Sequence, residues 1–382
     1  MHQRPAATQA RRLAVEYVLP LRWSDDAELD ELTDYLCRLS GWVDVTVVDG
    51  SPDELWTRHA ERWSGRLRHL RPGMWPGRNG KVAGVVTGVQ NARHEHVVIA
   101  DDDVRYDLNG LVAVTRLLAD ADLVRPQNYF EPLPWHARWD TARSLLNRAL
   151  GNDYPGTYAV RRSTFVAMGG YDGDVLFENL ELSRTVRAAG GGEAHAKAVF
   201  VIRRPPSTQH FLRQRVRQAY DDLAQPARLV TEAGILPVLV LLGRGALTSR
   251  SVTRRRSRWG LVGGLLVPVV LAEVGRRTEG ARTRYPASSA LWAPAWVIER
   301  SICIWVAMSY RAAGGVPYAG QRLSVAAHSV AELRRRQARK NPRRTVVTVC
   351  VPSVPASGRR SRAARRPGPR SPRSRTTSGH RS

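Results

Sequence analysis

Cysteine is scarce in this chain of 382 residues: there are three, Cys37, Cys303 and Cys350. They stand far apart, without the spacing that gathers a metal-thiolate site, and an odd count argues against a disulfide framework. A reducing compartment is expected. No secretory leader is expected either, because the first apolar stretch, residues 13–20, is short and holds Glu16, which suits a strand better than an h-region. Clean apolar runs are also lacking. Residues 233–243, 259–272 and 290–310 are apolar but short or interrupted by Pro237, Pro268, Glu299 and Arg300, and none offers the ~20 uninterrupted residues of a plain spanning helix. Acid is absent from residues 334–382, which carry 16 Lys or Arg. Taking those cations from the formal charge of +25 leaves +9, so the body of the chain is only moderately basic. Residues 331–382 have the Arg, Pro, Ser and Gly composition of a disordered tail. Clustered Arg attracts any polyanion, but no specific nucleic-acid partner is expected.

What is present before residue 225 is a rhythm of strands and helices. Residues 15–19 and 43–48 read as strands, the second closed by the turn Asp49-Gly50-Ser51-Pro52. Residues 27–39 carry Leu29, Leu32, Leu36 and Leu39 on one helical face, with Ser24 and Asp25 as a cap. Helices are predicted over 81–92 and 108–118, and a buried strand over 96–100. This alternation implies an α/β fold, a mostly parallel sheet with helices on both faces. Ligands of such sheets sit beyond the carboxyl ends of the strands. Asp49 follows one strand and Asp101-Asp102-Asp103 another, so both acidic turns can face one crevice.

Three adjacent carboxylates repel one another unless something neutralises them. A hard divalent cation shared with a diphosphate does so, whereas an acidic turn capping the helix at Leu108 is the plain structural reading. The segment Gly77-Arg78-Asn79-Gly80-Lys81-Val82-Ala83-Gly84, with Gly88 and Ala92, then Val97-Val98-Ile99-Ala100-Asp101-Asp102-Asp103, resembles the nucleotide-sugar half of family 2 glycosyltransferases. The resemblance covers residues 13–225. It implies a GT-A fold and inverting transfer from a nucleoside-diphosphate sugar with Mg²⁺ or Mn²⁺. By that likeness Asp49 contacts the nucleotide, Lys81, Asp101 and Asp102 lie along it, and Asp103 with Asp101 holds the metal.

The acceptor half follows. Residues 156–162 and Gly169-Gly170-Tyr171-Asp172 resemble the family's acceptor-side strand and turn. In Phe177-Glu178-Asn179-Leu180-Glu181 the family's Glu-Asp pair is expected, its Asp being the general base. Asn179 stands at that position and cannot accept a proton, so Glu178 is the reading for the base, with Glu181 the other nearby carboxylate. Gln214-Arg215-Val216-Arg217-Gln218 resembles the Gln-x-x-Arg-Trp signature of processive and lipid-acceptor members, with Gln218 for Trp. The resemblance places Gln214, Arg215 and Arg217 at the leaving diphosphate, where cations offset developing charge. His210 nearby reads as structural. The missing Trp points away from a growing polysaccharide and toward a lipid-linked or small acceptor of the cell envelope.

After residue 225 the apolar stretches alternate with Arg-rich connectors and carry Trp259, Trp292, Trp296 and Trp305. Residues 226–330 are expected to associate with the cytoplasmic membrane, the catalytic domain (13–225, after a flexible 1–12) facing the cytoplasm. A helical subdomain packed on the catalytic domain is the alternative. Gly314-Gly315-Val316-Pro317-Tyr318 reads as a turn returning the chain to the membrane surface. Two other functions stay open. A catalytically degenerate sugar-nucleotide binder is suggested by Asn179. A nucleotidyltransferase needs a Gly-rich loop after the first strand, where Pro20-Leu21-Arg22-Trp23 stands instead.

Overall fold

The computed structural model describes residues 12–151, 153–318 and 320–340. Cys350 and most of the basic tail lie outside them. The strands are β1 (Val15–Leu21), β2 (Asp44–Asp49), β3 (Arg68–Leu70), β4 (His96–Ala100), β5 (Val104–Arg105), β6 (Leu123–Phe130), β7 (Thr157–Arg161) and β8 (Glu193–Arg203). They form one sheet in the order β3-β2-β1-β4-β7-β6-β8-β5. β7 and β5 run antiparallel to their neighbours, and the other strands share one direction. The mostly parallel α/β sheet expected from the alternation is therefore present.

Helices α1 (Leu29–Ser40), α2 (Asp53–Trp63), α3 (Gly80–Gln90), α4 (Leu108–Leu117), α5 (Trp135–Leu150), α6 (Arg162–Ala167), α7 (Glu178–Ala188) and α8 (Thr208–Tyr220) surround it. The period of two in β1 assigns its faces. Val15, Tyr17, Leu19 and Leu21 join a core with α1 and α4, whereas Val18 joins one with α3 and α6. Gly84 and Gly88 let α3 lie close on β1, against Pro20 and Val18. The cap of α4 is Asp107, whose Oδ1 accepts from Gly110 N at 2.7 Å. The acidic triplet is thus not that helix's cap, which removes its plain structural reading.

Three later segments are long and apolar enough to cross a membrane, by length and composition: α9 (Pro226–Thr248), α10 (Ser251–Arg277), and the stretch Ala287–Ala312 that contains α11 (Ala293–Ala312). They exceed the apolar runs read from sequence because Pro237 and Pro268 sit inside continuous helices and Arg-rich flanks extend them. The α9–α10 hairpin exposes Val238, Leu241, Trp259, Leu266 and Val270. In contrast, α11 packs Ile304 and Ala307 into a core with Leu180 and Tyr220. Its charged pair faces the same way: Glu299 accepts from Arg215 and Arg300 donates to Asp222. This helix realises the packed alternative along one face.

The segment after α11, read from sequence as a turn, is more than one. It forms a hairpin, β9 (Val316–Tyr318) with β10 (Gln321–Leu323), and continues to the start of α7. There Leu176 N and Phe177 N donate to Val325 O and Ala326 O at 3.0 and 2.8 Å. Helix α12 (Val330–Lys340) then packs near α7.

Candidate active site

A cavity of about 570 Å³ opens at the carboxyl ends of β1, β2 and β4. The sheet topology brings the end of β4 and the starts of α3 and α7 to one place. Asn79 caps α3, its Oδ1 accepting from Lys81 N at 3.2 Å, and Tyr318 Oη donates to the same oxygen at 3.1 Å. The loop before α3 is locked by two glycines. A Cβ on Gly77 (φ +116°) would come within 2.2 Å of Gly173 C, and Asn79 N donates to Gly173 O at 2.8 Å. Lys81 Nζ is thereby fixed between two carboxylates, 2.5 Å from Asp101 Oδ1 and 2.6 Å from Glu178 Oε1. Burial opposes its charge, but Asp101 and Glu178 outweigh burial and raise its pKa. Asp101 is held from behind, its N–H donating to Gly156 O at 2.9 Å. Any side chain on Gly156 would meet Asp101 Oδ2 at 2.7 Å.

The triplet fans out. Asp102 Oδ2 accepts from Trp23 Nε1 at 2.5 Å, and Asp103 Oδ2 from Arg203 Nε at 2.7 Å. Asp103 Oδ1 is buried and, among the described residues, has no hydrogen-bond partner. Burial raises the Asp103 pKa to about 6; Arg203 works against that rise, and Asp101 and Asp102 add to it. An unpaired, desolvated carboxylate oxygen amid crowded negative charge is the donor chemistry that suits Mg²⁺ or Mn²⁺. The residues present fit such an ion, with further ligands coming from a diphosphate.

Lys81, Asp101, Asp102, Asp103, Glu178, Gln214 and Arg217 all line this cavity, as do Asn179, His210 and Gln218. Three residues singled out from sequence lie elsewhere. Asp49 is fully buried, its oxygens taken by Ser51 N, His59 Nδ1 and His69 Nε2 at 2.9, 2.7 and 3.1 Å. Burial alone would raise its pKa, but the bonds from His69, Ser51 and His59 lower it far more. Its neighbours Val48 and Gly50 line the cavity instead. Arg215 is buried against Asp140 and Glu299, at 3.3 and 3.0 Å. Glu181 accepts from His328 N and pairs with His328 Nδ1, at 2.7 and 2.9 Å, which ties α7 to the C-terminal segment.

Other lining residues were not read from the sequence. Arg203, at the end of β8, meets the triplet only because β5 pairs with β8. Tyr318 lines the cavity too, its ring centre 5.2 Å from the guanidinium carbon of Arg217. Asp221 and Asp222 follow α8 in a 3₁₀ turn. Asp222 is neutralised by Arg228 and Arg300, at 3.0 and 3.1 Å. Asp221 has no ion pair among the described residues, and its Oδ1 is buried without a hydrogen-bond partner. Burial pushes its pKa up to about 8, with Arg217 opposing and Asp222 and Glu178 reinforcing. Its nearness in sequence to the Arg217 motif was the one available signal.

No family model matches this chain, and no curated protein matches it. Among solved structures it is similar to the mannosyltransferase PcManGT from Pyrobaculum calidifontis in complex with GDP-Man and Mn²⁺. That pair is 18% identical, covers 77% of this chain and 87% of the other, and has a TM-score of 0.45. It is also similar to glucosyl-3-phosphoglycerate synthase from Mycobacterium tuberculosis in complex with Mg²⁺ and uridine-diphosphate (18% identity, 51% and 73% covered, TM-score 0.34). A third is GalNAc-T7 with UDP, GalNAc and Mn²⁺ (14% identity, 51% and 43% covered, TM-score 0.34).

Proposed function

We propose that this protein is a metal-dependent glycosyltransferase of GT-A type that moves a sugar from a nucleoside-diphosphate sugar to a hydroxyl acceptor with inversion. The observation that carries the reading is the convergence of Lys81, Asp101, Asp103 and Arg217 on one cavity at the strand ends. Mg²⁺ or Mn²⁺, held by Asp103 and Asp101, would supply charge neutralisation for the donor diphosphate. Lys81 fixes the orientation of Asp101, and Arg217 offers a cation to the departing nucleoside diphosphate. The acceptor oxygen attacks the anomeric carbon as the bond from that carbon to the diphosphate oxygen breaks, the electron pair leaving with the diphosphate. A carboxylate takes the hydroxyl proton.

Glu178 and Asp221 are the two candidates for that carboxylate. Glu178 is engaged by Lys81, whereas Asp221 is unpaired and burial raises its pKa to about 8. A base with proton affinity near the operating pH is the more effective, so Asp221 takes the role and Glu178 orients Lys81. An available carboxylate at Asp221 also weakens the degenerate-binder reading that Asn179 suggested. The apolar hairpin supports attachment to the cytoplasmic membrane with the catalytic cavity on the cytoplasmic side. The deciding experiment incubates purified protein and Mn²⁺ with a panel of UDP- and GDP-sugars. Release of nucleoside diphosphate is expected, and binding of a nucleotide sugar with no turnover on any donor or acceptor would replace this reading with a binder.

A further inference from the structure

A second cavity, of about 780 Å³, lies among α5, α7, α9, α10 and the start of α11. Its two sides differ in chemistry. On the side of the apolar helices stand Ile235, Val267 and Leu271. On the side of the sheet stand Arg125, Arg184 and Arg187. Arg125 is only 5% exposed, and its Nη1 is buried with no hydrogen-bond partner among the described residues. Arg184 donates to two backbone carbonyls, of His328 and Ala224 at 2.8 and 2.9 Å, and meets no carboxylate among the described residues. The one acid on this side, Glu193, is shared by Arg125 and Arg187, at 3.6 and 3.9 Å. The remaining acid, Glu232, is taken by Arg228 at 2.8 Å. The sheet side therefore carries surplus positive charge, held by the fold at Arg125 and Arg184 and exposed to solvent at Arg187, and phosphate is the anion that guanidinium forks match.

The position adds to this. Asn147, Tyr154 and Gln225 line both this cavity and the catalytic one. The guanidinium carbon of Arg125 lies 4.5 Å from the centre of the Tyr154 ring, and that ring meets Phe177, the residue before Glu178, edge-on at 5.0 Å. A headgroup on the basic side thus lies against residues that also line the catalytic cavity. The opposite side is open. Leu150 and Val267, which line the cavity, are 71% and 56% exposed, and the apolar strip continues along α10 through Val270. A pocket of this volume takes a headgroup and the first part of a chain, the rest lying along the exposed hairpin.

We infer that this cavity binds a phospho-lipid: a long apolar chain along α9 and α10, with a phosphate-bearing headgroup at Arg125, Arg184 and Arg187. The binding of this lipid does not rest on the glycosyl-transfer reading. The test uses the full chain in phosphatidylcholine nanodiscs, with farnesyl phosphate, farnesol and inorganic phosphate as probes, and binding followed by native mass spectrometry. Farnesyl phosphate is expected to bind at least ~10-fold tighter than either other probe, as one charge-assisted contact is worth about that factor. Arg184→Gln is expected to weaken it ~10-fold, and Val267→Trp, at the exposed mouth, to weaken farnesyl phosphate and farnesol alike. Equal affinity for farnesol and farnesyl phosphate, equal affinity for phosphate alone, or an unchanged affinity in both variants would each overturn the inference. Mn²⁺-dependent binding of UDP- and GDP-sugars is measured in the same samples. Its absence would sink the transferase reading and leave the lipid result standing.

Discussion

The two ends of the catalytic cavity are built by different means. The donor end stands on the sheet. Asp101 follows β4 directly, Lys81 opens the helix that packs on β1, and most of the charge there is held: Lys81 with Asp101 and Glu178, Asp102 with Trp23, Asp103 Oδ2 with Arg203, with Asp103 Oδ1 unpartnered among the described residues. The acceptor end stands on helices that reach the cavity from distant parts of the chain. Arg300 comes from α11, Arg228 from α9, Tyr318 from the hairpin after α11, and Asp221 lies among them unpaired. A closed charge network positions; an open one can exchange a proton. The contrast suggests that the donor end is set before substrate arrives and the chemistry of the proton is kept at the other end.

The largest effect is expected where the donor end is opened. Lys81→Met leaves Asp101 and Glu178 without the cation between them, and the two carboxylates then repel. Turnover of the nucleotide sugar should fall by roughly 10³, the scale of losing one preorganised charge in a shielded site. A loss under tenfold would mean that the donor end is not preorganised by this lysine, and the contrast would fail.

The next effect separates the carboxylates. Asp221→Asn should lower kcat by roughly 10² while nucleotide affinity stays within about threefold. Glu178→Gln should change affinity as well, because it releases Lys81. The pH profile sharpens this. Burial lifts the Asp221 pKa to about 8, so Asp221 is protonated below that pH and kcat/KM should rise as pH climbs through it. Stability runs the other way. The folded Asp221 keeps a proton that the unfolded chain releases near pH 4, so between about pH 4 and 8 the fold binds more protons and its stability falls as pH rises. Asp221→Asn should flatten both slopes. A profile still rising near pH 8 in that variant would return the role to another group.

Two arginines on α8 show how much of this was legible. Arg215 and Arg217 share one motif and were read alike from the sequence, yet Arg217 lines the cavity and Arg215 is buried between Asp140 and Glu299. Two residues on a helix differ by about 200° in direction, so one motif serves two faces, and which face meets the cavity depends on where α5 and α11 dock. Strands β1, β2 and β4, helices α1, α3 and α4, and the place of the triplet after β4 were legible because period and local spacing encode them, whereas β3, β5, β6 and β8 were not read. Asp49 was placed correctly at the end of β2, but His59 and His69, which occupy its oxygens, gave no sign of doing so. Asp221 was missed because its burial without an ion pair depends on elements remote in sequence, among them Glu178 at the start of α7 and Arg300 on α11. The corresponding prediction is that Arg215→Met lowers stability by about 3 kcal/mol, the cost of breaking a buried charge network in which Glu299 loses its guanidinium and Asp140 keeps only Arg143. In a thermal melt it should separate clearly from Arg217→Ala, which should lower kcat with little change in melting temperature.

The smallest effect tests the rim of the donor end. Trp23 Nε1 donates to Asp102 Oδ2, while Trp23 N is itself held by Ser51 Oγ at 2.9 Å. Trp23→Phe keeps the ring and the backbone bond and removes one donor. If Asp102 acts by lying along the nucleotide, a carboxylate released from its partner turns more freely, and binding should weaken by the worth of one net hydrogen bond, about 1 kcal/mol or fivefold in KM. kcat should be unchanged, because nothing at Asp103, Arg217 or Asp221 has moved. A fall in kcat with KM unaltered would place Asp102 among the groups that act on the transition state, and the donor end would then share in the chemistry now assigned to the acceptor end.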